Sequence, residues 1–165
     1  MRLQRGREYC LLPAEQALAT DVAQKRWEAN RNAGSFRPNK TGTPPVQHER
    51  DAVGAEIAFS RLVSEAPSTV PLVCERWVGT VDCVLPDGRQ VDVKYTTYED
   101  GCLLVPINSS SRPDVYVLMK GRFPRYYFAG WAPAALLRQD GHVTDRYGKG
   151  TCYRFPPEWL EDELI

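Results

Sequence analysis

Histidine is scarce in this chain and cysteine is scattered. Its 165 residues include two histidines, His48 and His142, and five cysteines, Cys10, Cys74, Cys83, Cys102 and Cys152. No His-x-x-x-His or Cys-x-x-Cys spacing occurs, which argues against a zinc centre. An odd number of thiols without a close pair suits a reducing compartment, where they stay free. Apolar runs of membrane-spanning length are missing, and the basic start MRLQRGREYC lacks the apolar stretch of a secretory signal. The expectation is a soluble cytoplasmic protein with no membrane partner. A Gly-rich phosphate loop, a nucleophile elbow and an internal repeat are absent too, so NTPase, triad-hydrolase and solenoid readings have no support.

An excess charge of either sign is lacking as well, because the formal net charge is zero. The basic residues are nevertheless unevenly spread. Residues 1–40 and 111–138 are richer in Arg and Lys than in Asp and Glu, whereas Glu158, Glu161, Asp162 and Glu163 make the C-terminal end acidic. Nucleic acid therefore stays open as a partner, since binding depends on where the cations lie.

The length is that of one domain with a proper core. Pro13 suits the first turn of a helix running to about Asn32, and 33–46 reads as a Gly- and Pro-rich loop. A second helix is predicted over about 47–65, with Val53, Ile57, Ala58, Phe59 and Leu62 on its apolar stripe. From Pro71 the pattern turns to strands: Leu72–Trp77, Thr80–Leu85, Arg89–Thr97, Leu103–Ile107, Val115–Lys120 and Arg125–Trp131. Pro133 opens a brief helix through Leu137, residues 138–151 read as loop or hairpin, and Pro157–Leu164 as a short terminal helix. The fold class is α+β, with helices leading a largely antiparallel or mixed sheet.

One cluster of reactive side chains follows from local structure. Leu85-Pro86-Asp87-Gly88-Arg89 suits a type I turn with Gly88 left-handed, a three-residue loop that pairs Leu85 with Arg89. Counting outward sets Cys83 opposite Val91 and Asp82 opposite Asp92, with Lys94 further along the same face. A two-residue Asp-Gly turn would instead slip the register by one and turn Asp82 away. Opposed carboxylates at ~4 Å repel by about 4 kcal/mol at an effective dielectric of ~20, a large share of a domain's net stability. A hard divalent cation would compensate; so would exposure on a twisted hairpin, with Lys94 a plain surface partner.

An acid on a helix, then Asp on one strand and Asp-x-Lys on the next, resembles the pattern of the PD-(D/E)xK nucleases, the restriction-endonuclease-like fold. Glu56, Asp82, Asp92 and Lys94 match it in order. Gly54-Ala55-Glu56-Ile57-Ala58, the Asp-Val-Lys strand, Asp114–Leu118 and Ala129-Gly130-Trp131 also resemble a group of small bacteriophage proteins assigned to that superfamily. The resemblance implies a mixed-sheet core at about 46–137, after a helical N-terminal segment 1–45 and before an extension 138–165, all in one domain. It implies Mg²⁺, or Mn²⁺, held by Asp82 and Asp92, with Glu56 contributing directly or through water and the Val93 carbonyl completing the shell. Lys94 would orient the attacking water and neutralise charge developing on a phosphate.

The implied activity is hydrolysis of DNA phosphodiesters, in the host cytoplasm if a phage encodes the chain. A catalytically inactive relative that binds nucleic acid or a protein partner, in a phage structural or host-takeover role, is the alternative. The superfamily core carries a helix after the lysine strand, whereas residues 95–114 read as hairpin and loop. Arg122, Arg125, Lys25 and Arg26 are candidate sequence-independent backbone contacts. Tyr95, Tyr98, Tyr126, Tyr127, Phe128 and Trp131 offer stacking surfaces, though core packing accounts for most of them. A homodimer would let so small a chain cut both strands of a duplex.

Overall fold

The computed structural model describes residues 2–32, 45–64, 81–145 and 150–164. In chain order these form β1 (Glu8–Cys10), α1 (Pro13–Asn32), α2 (Pro45–Val63), β2 (Cys83–Val84), β3 (Gln90–Thr96) and β4 (Leu103–Pro106). There follow β5 (Val115–Arg122), β6 (Arg125–Pro133), α3 (Ala134–Leu137), β7 (Val143–Thr144) and β8 (Cys152–Phe155). Residues 33–44 of the predicted loop 33–46, the strand Leu72–Trp77 and Cys74 lie outside the described residues.

A five-stranded mixed sheet is ordered β1-β6-β5-β3-β2, and β4-β8-β7 make a second, three-stranded sheet. Only β3 and β5 run parallel among the paired strands described; the others pair antiparallel. Alternation along β5 splits the interior in two. Val115, Val117 and Met119 join Val53, Ile57, Phe59 and the α1 residues Ala19 and Val22 in one core. Tyr116 and Leu118 point the other way, into a core with Leu103, Val105, Leu137 and Phe155. The large sheet is thus sandwiched between the α1/α2 pair and a layer of β4, β8 and α3.

Local chemistry explains why the elements stop where they do. Glu15 sits three residues into α1 and its carboxylate accepts the Leu12 N–H at 2.9 Å, closing the first turn as a capping-box glutamate does. It also accepts the Tyr9 hydroxyl at 3.0 Å and Arg61 Nε at 2.6 Å, which ties β1, α1 and α2 together through one buried acid. Gly54 lets α2 approach the sheet: a Cβ there would stand 2.5 Å from the Tyr126 hydroxyl.

Two expectations are corrected. Part of the N-terminal segment is strand β1, held to β6 in the register Glu8↔Tyr127, because Tyr9 and Leu11 alternate inward rather than following a helical period. The terminal helix shrinks to a 3-10 turn, Pro157–Trp159, since Glu161 exchanges backbone hydrogen bonds with Trp131 instead of continuing the turn. Within 138–165, Cys152–Phe155 pairs with β4 and Phe155 lies in the second core. Between β3 and β5 the chain forms β4 and no helix, as its sequence pattern indicated. No helix among the described residues is long and apolar enough to cross a membrane.

Candidate active site

The turn that sets the site is a three-residue loop. Gly88 has φ of +89°, a left-handed value that a residue with a Cβ seldom takes. Leu85 N–H donates to the Arg89 carbonyl and Gly88 N–H to the Leu85 carbonyl, both at 2.9 Å. The resulting register is Cys83↔Val91 and Val84↔Gln90.

The ladder then ends, one residue short of the Asp82 and Asp92 pairing the sequence pattern leads one to expect. At Asp82 the chain bends, and its N–H donates to the Val91 carbonyl at 2.9 Å. Its Oδ2 accepts the Val93 N–H at 2.7 Å. In a continuing antiparallel ladder that N–H would go to the carbonyl of Val81. The Asp82 carboxylate therefore supplies the next rung itself and sits at the open end of the hairpin.

Asp92 and Lys94 stand side by side on β3. Their side chains form an ion pair in which Lys94 Nζ donates to Asp92 Oδ1, and Asp92 is 5 % exposed. The parallel register aligns Asp92 with Tyr116 and Lys94 with Leu118, so both charged residues face the second core's side of the sheet. Arg138 Nε donates to the Tyr116 hydroxyl at 3.0 Å on that same side.

Glu56 lies on α2, across the sheet from Asp92. Both of its oxygens are taken by Arg26 of α1, Nη1 to Oε1 and Nη2 to Oε2 at 2.8 Å each. The pair is deeply buried, with side chains 3 % and 11 % exposed. Asp82, at the hairpin end, lies in the field of both faces.

That position has an electrostatic consequence. The Asp82 carboxyl is pushed up to about 8, first by burial and then by the neighbouring Glu56 and Asp92 carboxylates, against the Val93 N–H and Lys94, which favour its ionised form. Burial alone would lower the Arg26 pKa, yet the Glu56 hydrogen bond and the charges of Glu56, Asp82 and Glu49 hold it above its ordinary value. Burial likewise opposes the charge on Lys94, and Asp92 followed by Asp82 outweighs it. Glu49 is raised by burial and by Glu56, with Arg26 pulling the other way. Around Asp82, then, the carboxyls of Glu56 and Asp92 stand with the cations Arg26 and Lys94, and Glu49 lies in the field of Arg26 and Glu56. The Cys83 thiol beside them is pushed up to about 11 by burial and then by Asp82, so it stays protonated and offers no nucleophile.

A hard divalent ion fits part of this set. No group of three or more His, Cys, Asp or Glu side chains among the described residues forms a cage for a metal. Mg²⁺ does not need one, since it keeps several waters and binds through one or two carboxylates. Asp82 and Asp92 are the carboxylates that would hold such an ion, and beside the burial that chiefly raises the Asp82 carboxyl, the repulsion from Glu56 and Asp92 is what a cation would relieve. Glu56 is not free to join them while Arg26 occupies both its oxygens.

No protein-family model matches this chain, and no curated protein or solved structure does.

The candidate phosphate contacts divide. Arg26 is buried against Glu56, which withdraws it from a surface role. Lys25 is exposed and pairs with Asp21 one turn earlier at 3.0 Å. Arg122 and Arg125 face each other at the exposed end of the β5–β6 hairpin, where Arg125 Nη1 pairs with Glu8 at 3.0 Å. Of the aromatic candidates, Tyr126 and Phe128 are fully buried core residues, while Tyr98 is largely exposed.

Three participants escaped the sequence pattern. Glu49 stands seven residues before Glu56, a spacing that puts both on one side of α2 and was there to be read. Tyr116 and Arg138 could not have been found, because only the parallel register of β3 and β5 sets Tyr116 beside Asp92.

Proposed function

We propose that this chain is a divalent-cation-dependent nuclease that hydrolyses phosphodiesters, with DNA as substrate. The observation that carries the reading is the buried Asp82 carboxyl, held at the end of a hairpin between Asp92, Lys94 and Glu56 and left with more acid than base around it. A surface salt bridge would not produce this. The order of Glu56, Asp82, Asp92 and Lys94, with its resemblance to the PD-(D/E)xK pattern, supports the same conclusion.

In this reading Asp82 and Asp92 hold Mg²⁺ or Mn²⁺, which when bound supplies a polarised phosphate oxygen and an acidic water. Asp82, whose Oδ2 accepts the Val93 N–H, would hold the ion together with Asp92. Lys94, paired with Asp92, would orient the attacking water or neutralise the charge that develops on the phosphate. Tyr116, anchored by Arg138, limits where the Lys94 amine can go. Arg122 and Arg125 would meet the backbone of a strand without reading its sequence.

Incubation of labelled single- and double-stranded DNA and RNA with Mg²⁺ or Mn²⁺ tests the reading. Cleavage should stop on chelation and fall by about 100-fold to 10,000-fold in Lys94→Ala, the range expected for a positioned proton-transfer group. Cleavage that persists in both Lys94→Ala and Asp82→Asn refutes the assignment.

The two internal ion pairs, Arg26 with Glu56 and Lys94 with Asp92, favour a second reading. Cations of the chain itself would then have replaced the metal, leaving a scaffold that binds nucleic acid or a protein partner without cutting. Retention of DNA that is indifferent to chelator, with no cleavage of any substrate, is its signature.

A further inference from the structure

We propose that Arg50, lying over the ring of Phe123, and Arg122, the residue before that ring, together hold a phosphodiester group of a nucleic-acid strand. The inference rests on the nucleic-acid partner of the readings above and goes beyond them, by placing the strand at the end of the β5–β6 hairpin and adding Arg50, which no sequence motif singles out.

The fold brings the two arginines to one place. Arg50 stands in the second turn of α2, and its guanidinium carbon is 4.2 Å from the centroid of the Phe123 ring. Phe123 lies in the turn between β5 and β6 and packs against the main core. The Tyr126 hydroxyl donates to the Asp51 carbonyl at 3.0 Å, which ties this turn of α2 to the same hairpin. A guanidinium over an aromatic face is held by the ring and keeps its N–H groups for other partners.

Those donors are little used within the chain. Arg50 Nη2 is 3.5 Å from Asp51 Oδ1, longer than an ordinary hydrogen bond, and neither Arg50 Nε nor that Asp51 oxygen has a hydrogen-bond partner. A structural arginine of this protein looks different: Arg61 Nε donates to Glu15 at 2.6 Å. Arg122 is exposed and makes no hydrogen bond or ion pair among the described residues. Lys25 and Arg125, by contrast, each have an acid at 3.0 Å. Arg50 and Arg122 thus keep donors that the other candidate contacts have committed.

Charge selects the ligand. Asp51 lies in the field of both arginines and of His48; burial, the largest influence, raises its carboxyl, and the three cations lower it. With Asp51 ionised, two guanidiniums and one carboxylate leave a single positive charge. That matches one phosphodiester, whereas a phosphate monoester carries nearly twice the charge. Such a contact works through charge and N–H donors on phosphate oxygens, so it is indifferent to base sequence.

Binding of labelled single-stranded and duplex DNA to the full chain over a series of salt concentrations, in chelator so that no strand is cut, tests the inference. The proteins compared are wild type, Arg50→Gln, Arg122→Gln, the double variant and a neutral control, Arg125→Gln/Glu8→Gln, with circular dichroism to verify folding. The slope of log affinity against log salt should become shallower in the double variant by about 1.4 for a single strand or about 1.8 for a duplex, because each phosphate contact contributes about 0.7 or 0.9. At about 0.1 M salt this amounts to a loss of about 25-fold to 60-fold in affinity. The control should keep most of the wild-type slope. Inorganic phosphate, titrated at constant ionic strength, should displace the strand only at millimolar concentration.

A double variant with the wild-type slope overturns the inference, and a slope that falls only in the control moves the contact to Arg125. Displacement by micromolar inorganic phosphate would make the ligand a free phosphate and overturn the strand assignment. If Arg50→Gln does not fold, the exposed change Arg122→Gln decides alone, with an expected slope loss of about 0.7 for a single strand. Folded wild type that binds no strand would remove the nucleic-acid partner itself, and the inference with it, whereas strand binding without the slope change fails the inference alone.

Discussion

Replacing Asp82 by asparagine separates what this residue does for the hairpin from what its charge does to the fold. The amide keeps an oxygen to accept the Val93 N–H but cannot ionise. In the unfolded chain the carboxyl titrates near its ordinary 3.8, and in the folded chain near 8. Between those values the folded state holds a proton that the unfolded state has lost, so the stability of the metal-free protein falls as pH rises. The fall follows a slope of about 1.4 kcal/mol per pH unit and levels off above pH 8, with a ceiling of about 6 kcal/mol. Below pH 4 both states are protonated and the term vanishes.

Asp82→Asn lacks this pH-dependent loss. Urea unfolding in chelator across pH 5 to 9 should therefore show the variant growing steadily more stable than wild type, by about 2 to 4 kcal/mol at pH 8 once water entry and side-chain relaxation have reduced the ceiling. Titrating groups away from Asp82 are common to both proteins and cancel in the difference. Millimolar Mn²⁺ should restore wild type and leave the variant unchanged, because a ligand that binds only the folded state stabilises it by mass action. Parallel stability curves for the two proteins would refute the reasoning, since Asp82 would then be ionised at no expense to the fold.

Other substitutions probe the frame around the site. Glu15→Ala removes the carboxylate that accepts from the Leu12 N–H, the Tyr9 hydroxyl and Arg61 Nε, and should lower stability by about 1 to 3 kcal/mol in chemical denaturation. Gly54→Ala drives a Cβ to 2.5 Å from the Tyr126 hydroxyl and should lose about 1 to 3 kcal/mol by overpacking, with Tyr126→Phe in the same chain recovering part of the loss in thermal melts. Gly88→Ala forces a side chain into φ of +89°, so it should destabilise the fold by about 1 to 2 kcal/mol and weaken Mn²⁺ uptake together, as both depend on the turn.

The turn was the most legible part of the site, because Pro-Asp-Gly carries its own backbone geometry and fixed the register through Cys83↔Val91. The two long helices and strands β3, β5 and β6 were legible for a similar reason: their apolar periods are local. Strand β1 was not, since three residues cannot display a period and the pairing of Glu8 with Tyr127 joins segments far apart in the chain. Charge pairing was the least legible. Arg26 sits on a helix with other basic residues, and its sequence neighbourhood reads as surface; only the packing of α1 on α2 brings it to Glu56. Likewise nothing before the fold assigned Asp92 and Glu56 to opposite faces of the sheet.

That division of faces gives Asp82 its importance. Within β3 the alternation of Val91, Asp92, Val93 and Lys94 sends the apolar residues to the helices and the charged ones to the second core's side. A carboxylate in the middle of β2 would have had to choose one side or the other. At the bend the ladder has ended, and the Asp82 side chain lies in the plane of the hydrogen bonds, taking the Val93 N–H as a rung would. From there it is in the field of both Glu56 and Asp92, which no regular strand position allows. Among the described residues, the end of the hairpin ladder is thus where acids on both faces act on one carboxyl, and lengthening β2 by a residue would separate them while leaving every one of the four side chains in the sequence.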